Sequence, residues 1–226
     1  MKTPNHYVVK WSDDRKQARV FDKQEGYSLD LTLLKYTSIE FCHAAFNVAD
    51  ILNKGESMYV TGRPLREYDP DIRELEIDPS LLYIDVGAGL GEFIPHVVRC
   101  SKGQAKVRPI AIDPVNYELM QRMLVYAGIL DVGDQMKEHL KILIDRCEIM
   151  LDSTKVQLIK STLEQSLNSN SHLQGVADVV IDNAGANHYA REDHEHIWKL
   201  EKQLLKPNGR LFSEVVKSSG IYRPPN

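Results

Sequence analysis

Absences narrow the field before any motif is weighed. No stretch approaches the roughly 20 apolar residues needed to cross a bilayer, so no membrane association is expected. The opening Met1-Lys2-Thr3-Pro4-Asn5-His6 lacks the apolar core of a signal peptide. Cysteine is scarce. Cys42, Cys100 and Cys147 are odd in number, widely spaced and set among apolar neighbours, so they read as reduced core residues. A cytoplasmic location follows, or a nuclear one if the source has a nucleus. Excess charge is lacking too: a net charge of −4 gives no overall pull toward nucleic acid, though it leaves room for a local basic groove. There is no internal repeat or low-complexity tract. What remains is 226 residues, 42% hydrophobic and 27% charged, which suits one domain of fair size or a domain with an extension.

The chain is organised around Tyr83-Ile84-Asp85-Val86-Gly87-Ala88-Gly89-Leu90-Gly91-Glu92-Phe93. Residues 81–86 are a short β-branched run and read as a buried parallel strand. Three glycines at alternate positions follow, and an amphipathic helix then runs to about Cys100. Strand, tight turn and helix make the first half of a nucleotide-binding βαβ unit. Glycine suits the turn because a Cβ would block close backbone approach and disfavour positive φ. The new helix directs free N–H groups at its ligand, which favours a carboxylate or a phosphate. The spacing departs from the dinucleotide fingerprint G-x-G-x-x-G. Glu92 holds the place of the third glycine, and a Glu over a pyrophosphate would be electrostatically unhelpful.

Residues 7–11 and 18–21 flank a polar stretch and predict a β-hairpin. Thr37 and Glu40 form a capping box, opening a predicted helix with Phe41, Ala45, Val48 and Leu52 on one face. That helix would pack on the main sheet or serve as a lid. Residues 62–80, dense in Pro, Arg, Asp and Glu, are expected to form an exposed connector. The expected domains are therefore residues 1–76, an N-terminal hairpin and helical extension, and residues 77–226, the core. Past the glycine turn, strands and helices alternate. This predicts an α/β core with a Rossmann-like, mostly parallel sheet and helices on both faces. Strands are expected at 107–112, 156–159, 176–181 and 210–216, with helices near 116–127, 134–151 and 192–205.

Four places then agree in order. Asp85-x-Gly87-x-Gly89-x-Gly91 resembles the first motif of class I S-adenosylmethionine-dependent methyltransferases. Asp113 ends the second core strand, where an acid in that family accepts both ribose hydroxyls. Standing alone it would equally be a solvated strand-end acid capping a helix. Val179-Val180-Ile181-Asp182-Asn183 resembles the fourth motif, whose strand-end residues face the methionine moiety and the methyl acceptor. Leu204-Leu205-Lys206-Pro207-Asn208-Gly209-Arg210-Leu211 resembles the structural turn before the family's fifth strand. The resemblance covers residues 77–216. It implies methyl transfer with S-adenosyl-L-methionine as cofactor, held by Asp85, Gly87, Gly89, Gly91, Asp113, Thr162 and Asp182. One departure is Ser161-Thr162-Leu163-Glu164, which offers hydroxyls before the acid usually found near the adenine amino group.

A hydroxyl or protonated amine acceptor needs a base. His188 lies after the fourth strand with Asn183, Asn187 and Tyr189, on a stretch expected to be a loop facing the acceptor. His188 is the candidate base, because the ordinary range of a histidine suits that role at neutral pH, and Asn183 is the second catalytic candidate on that stretch. Asn183-Ala184-Gly185 is not the Asn/Asp-Pro-Pro-aromatic motif of amino-directed DNA methyltransferases. A small-molecule acceptor is favoured over protein or RNA. Asp193-His194-Glu195-His196 invites a metal reading, but helical neighbours two apart diverge and acids suit a helix start. No metal is expected. Two rival readings stand beside this one. A short-chain NAD(P)-dependent oxidoreductase would explain Asn183-Ala184-Gly185, but not the glycine spacing or the lack of a later Tyr-x-x-x-Lys. A methyltransferase-like domain that binds a partner without catalysis would use the same residues differently.

Only ten residues follow Val216, too few for the antiparallel pair that ends such sheets. The expected remedies are an abbreviated sheet, a chain that is a fragment, or an open edge paired by the N-terminal hairpin or by a second copy in a homodimer.

Overall fold

The computed structural model describes residues 7–14, 16–24, 26, 28–36, 39–47, 58–102, 106–129, 134–183, 185–189, 193–217 and 220–222. Five strands come first: β1 (Tyr7–Trp11), β2 (Gln17–Asp22), β3 (Ser28–Tyr36), β4 (Ile39–Asn47) and β5 (Met58–Thr61). The short helix α1 (Pro70–Arg73) precedes β6 (Tyr83–Val86), α2 (Phe93–Cys100) and β7 (Ile110–Ile112). Then come α3 (Tyr117–Ile129), α4 (Asp134–Leu151), β8 (Gln157–Ile159), α5 (Leu163–Ser169) and β9 (Ala177–Asn183). The chain closes with α6 (Ala186–Tyr189), α7 (His194–Leu204), β10 (Leu205–Lys217) and β11 (Gly220–Tyr222). Two compact units result. The first holds Met1–Pro64, Gly89–Glu92 and Asn116–Glu148; the second holds Leu65–Ala88, Phe93–Val115 and Ile149–Asn226.

In the first unit β1 to β5 form an antiparallel sheet in sequence order. Alternation drives it. In β2, Ala18, Val20 and Asp22 are buried while Gln17, Arg19 and Phe21 face outward, the period-two pattern of a half-covered strand. Leu29 and Leu31 continue the buried face, and α3 packs against β2 with Leu119, Met120, Met123, Leu124 and Ala127 fully buried. Each of the Leu and Met side chains contributes about 1.5–3 kcal/mol by leaving water. Tyr7 stacks on Tyr126 with ring centroids 4.8 Å apart.

The predicted hairpin of β1 and β2 is present, in the register Tyr7↔Asp22 to Trp11↔Ala18. The predicted helix around Phe41 and Ala45 is not. Those residues lie in β4, paired with β3 from Ser28↔Asn47 to Tyr36↔Ile39 and with β5 on its other side. Two neighbouring strands satisfy the backbone of β4 on both edges, and that tertiary pairing overrides a weak helical period. Glu40 of the supposed capping box faces Lys35 across the ladder, while Thr37, Val48 and Leu52 lie outside the described residues.

The second unit is the α/β core, a sheet in the order β11-β10-β9-β6-β7-β8. Five strands are parallel and β11 is antiparallel to β10. Every residue of β6 and β7 is buried, as parallel strands covered on both faces require. Ile84, Val86, Ile110, Ile112, Val180, Leu163 and Leu204 share one core. The helix α2 carries Pro95 in its first turn, where an amide hydrogen has no helical partner to lose.

Four expectations are corrected here. The open edge of β10 is met by β11 from within the chain, Val215↔Tyr222 to Lys217↔Gly220, and the N-terminal hairpin pairs inside its own sheet. The turn at residues 206–209 is a bulge within β10: four residues stand opposite Asp178 alone, and Lys206 Nζ reaches both Asp178 oxygens at 2.8 Å. The connector is not wholly exposed, because Ile72 and Tyr68 are buried, with Asp69 capping α1 by accepting from Asp71 N. Cys100, the last residue of α2, is exposed near His96, whereas Cys147 is buried as expected and its thiol pKa is raised by that burial. The side chain of Cys42 lies outside the described residues.

Candidate cofactor site

From β6 the chain steps outward to β7 and β8, then returns to β9 on the other side of β6. Strand order therefore reverses between β6 and β9. In open α/β sheets ligands bind at the carboxyl ends beside such a reversal. Asp85, Gly87, Asp113 and Asp182 all lie at those ends.

Gly87 opens the turn after β6 with φ +70° and donates its N–H to the Ile112 carbonyl at 2.8 Å. Its tightest neighbour belongs to the protein. A Cβ on Gly87 would sit 2.4 Å from the Cα of Gly185, and one on Gly185 would sit 2.2 Å from the Val86 carbonyl oxygen. The turns after β6 and β9 thus touch backbone to backbone, which explains glycine at both positions. Gly89 and Gly91 fall in the first unit. There Tyr117 donates its hydroxyl to the Gly89 carbonyl at 2.6 Å. Arg146, buried, donates to the Gly62 and Leu90 carbonyls at 3.0 and 2.8 Å and pairs with Glu92 at 3.3 Å. The acid that broke the dinucleotide spacing therefore has a structural partner, Arg146, which sequence reasoning missed.

Asp182 is fully buried and forms a collar for its own turn: Oδ1 accepts from Gly185 N at 2.6 Å and Oδ2 from Asn187 N at 2.8 Å. Asp113 is buried, with Oδ1 accepting from Val115 N at 2.8 Å. Burial pushes the Asp85 pKa well above the ordinary carboxylate range, and the charges of Asp182 and Asp113 add to the rise. Glu201 on α7, also missed, has its pKa raised well above the ordinary value by burial and then by Asp182. Its signal in the sequence was an acid flanked at helical spacing by Ile197 and Leu204.

Thr162 caps α5 in a capping box, accepting from Gln165 N at 3.3 Å while Gln165 Oε1 accepts from Thr162 N at 3.2 Å. Its hydroxyl proton stays available for donation. Asn183 ends β9, half-buried. The stretch after it includes the helical turn α6, on which His188 and Tyr189 lie with side chains outside the described residues. Asn187 points inward, its Nδ2 donating to Glu201 Oε1 at 3.2 Å and to Ser213 Oγ. In α7, His194 is buried near Trp198 while Glu195 and His196 are exposed, so the two histidines diverge. Among the described residues no three His, Cys, Asp or Glu side chains converge on a metal position, and no helix is long and apolar enough to cross a membrane.

A groove of about 890 Å³ lies elsewhere on the second unit, lined in part by Glu74, Glu76, Asp78, Arg210 and Phe212. Arg210 and Tyr83 both pair with Val179, which puts the groove near the amino ends of the strands, away from the glycine turn. Compared with models of known protein families and with the sequences of curated proteins, the chain matches none.

Proposed function

We propose that the second unit binds S-adenosylmethionine at the carboxyl ends of β6, β7 and β9, and that the protein transfers its methyl group to a small polar acceptor. The observation that carries this reading is the reversal of strand order beside a glycine turn, with the carboxylate of Asp113 ending the neighbouring strand. The donor set fits the cofactor. Asp113 stands at the carboxyl end of β7, where its carboxylate, which accepts from Val115 N, would meet a ribose diol. Thr162 offers a hydroxyl proton to a heterocycle nitrogen.

S-adenosylmethionine supplies an electrophilic methyl group on a sulfonium sulfur. The work left to the protein is to hold the acceptor in line, to exclude water and to take up a proton. Asn183 at the end of β9 would orient the acceptor, and His188 on α6 would receive its proton. Thermal-shift titration tests the reading. S-adenosylmethionine and its demethylated product should each raise the midpoint, and NAD should not. Stabilisation by NAD alone would replace this reading with an oxidoreductase.

A further inference from the structure

We propose that Glu201 is a positioning residue for the glycine turn: through Asn187 and the Asp182 collar it holds the turn after β9 against Gly87. The inference rests on the reading that this end of the sheet binds S-adenosylmethionine. Its links are short and buried. Glu201 Oε1 accepts from the Asn187 amide, which also donates to Ser213 on β10. The Asn187 and Gly185 backbone N–H groups close on Asp182. Gly185 in turn abuts Val86 O and the Cα of Gly87. A helix side chain remote from the turn thereby decides where the Gly87 backbone can sit.

The protonation state of Glu201 matters to this arrangement. Its carboxyl group is buried against the carboxylate of Asp182, a setting that disfavours a second negative charge. The groups around it are Asp182 from β9, Ser213 from β10 and Asn187 from α6. On its own helix stand His194 and Trp198, and α5 contributes the apolar Leu163 and Leu167 to the same core. Burial and Asp182 both raise the Glu201 pKa, so the neutral acid is the form that fits. Ionisation as pH rises through that raised value would set a second negative charge beside Asp182 and loosen the collar.

The test compares wild type, Glu201→Gln and Glu201→Leu. Two quantities are measured: the Kd for S-adenosylmethionine from roughly pH 6 to 9.5, and amide exchange of residues 83–88 and 185–189 in the free protein. Wild type should lose about tenfold in affinity as rising pH ionises Glu201, and Glu201→Gln should keep the neutral affinity without that loss. Glu201→Leu should bind about tenfold more weakly at every pH, with both segments exchanging about tenfold faster. Wild-type exchange and affinity in Glu201→Leu would overturn the proposal, as would an alkaline loss that persists in Glu201→Gln. If Glu201→Leu does not fold, the alkaline acceleration of exchange in wild type, and its absence in Glu201→Gln, decides instead. Failure of wild type to bind S-adenosylmethionine, with exchange responding as described, would sink the cofactor reading and leave the positioning role standing.

Discussion

In the antiparallel sheet β2 buries every second residue and turns Gln17, Arg19 and Phe21 outward, whereas all four residues of β6 in the parallel sheet are buried. Charge follows the same division. Arg19 and Asp30 meet across β2 and β3 at 2.5 Å on an exposed face, where water already solvates both. Asp85, Asp113, Asp182 and Glu201 sit inside the second unit, and Asp85 and Glu201 have pKa values raised by burial and by neighbouring acids. Acids gathered in a core are costly. They gather beside the reversal of strand order, which makes that end of the sheet the candidate site.

The sharpest break in this comparison is steric. Gly26, in the turn between β2 and β3, and Gly87 share a positive φ, +75° and +70°. Nothing lies within 4 Å of a Cβ on Gly26, while one on Gly185 or Gly87 would meet backbone. Gly185→Ala should therefore cost more than about 4 kcal/mol in denaturant unfolding, against about 1–2 kcal/mol for Gly26→Ala from its φ alone. Equal costs would mean that the two glycine turns do not touch.

A smaller effect is expected for Asp113→Ala, which should weaken S-adenosylmethionine binding by about 2–3 kcal/mol, the scale of lost charge-assisted hydrogen bonds. Calorimetry that returns an unchanged Kd would reduce Asp113 to a cap on Val115.

The pH arm is smaller again. Because the folded pKa of Asp85 is raised, its contribution is fully present below the ordinary carboxylate range and is lost as pH rises through the raised value. Asp85→Asn, which cannot ionise, should gain about 1–2 kcal/mol over wild type at pH 8, and the gain should vanish toward pH 4. Urea midpoints at the two pH values check this, and a gain that grows toward low pH would contradict it. Asp152 behaves in reverse. Lys155 and Thr154 hold its pKa down to about 2, so its contribution survives at neutral pH and is lost only in strong acid. Least of all, Arg19→Ala should cost under about 1 kcal/mol, because an exposed pair is screened by water and salt. A larger loss would show that the outer face is not free.

Legibility divides along the same line. The parallel core was readable because buried strands and amphipathic helices alternate at their natural lengths; the strand expected at residues 176–181 is β9, Ala177–Asn183. In the first unit the sequence misled where two signals competed. Glu40, expected in a capping box, is instead a rung of the β3–β4 ladder, while the working box, Thr162-x-x-Gln165, was legible only for its hydroxyl. Asp113 and Gly87 were legible as strand-end residues. Glu201, Gly185 and Arg146 were not, since their roles depend on partners far away in the chain: Asn187, Gly87, and the carbonyls of Gly62 and Leu90.

The most direct test of the cofactor site is a crystal structure grown with the demethylated product of S-adenosylmethionine. The account predicts ligand density at the carboxyl ends of β6, β7 and β9, with the ribose hydroxyls on Asp113 and the amino acid portion near Gly87 and Asp182. Density in the groove beside Arg210 and Glu76, with the Gly87 end of the sheet closed to ligand, would contradict it.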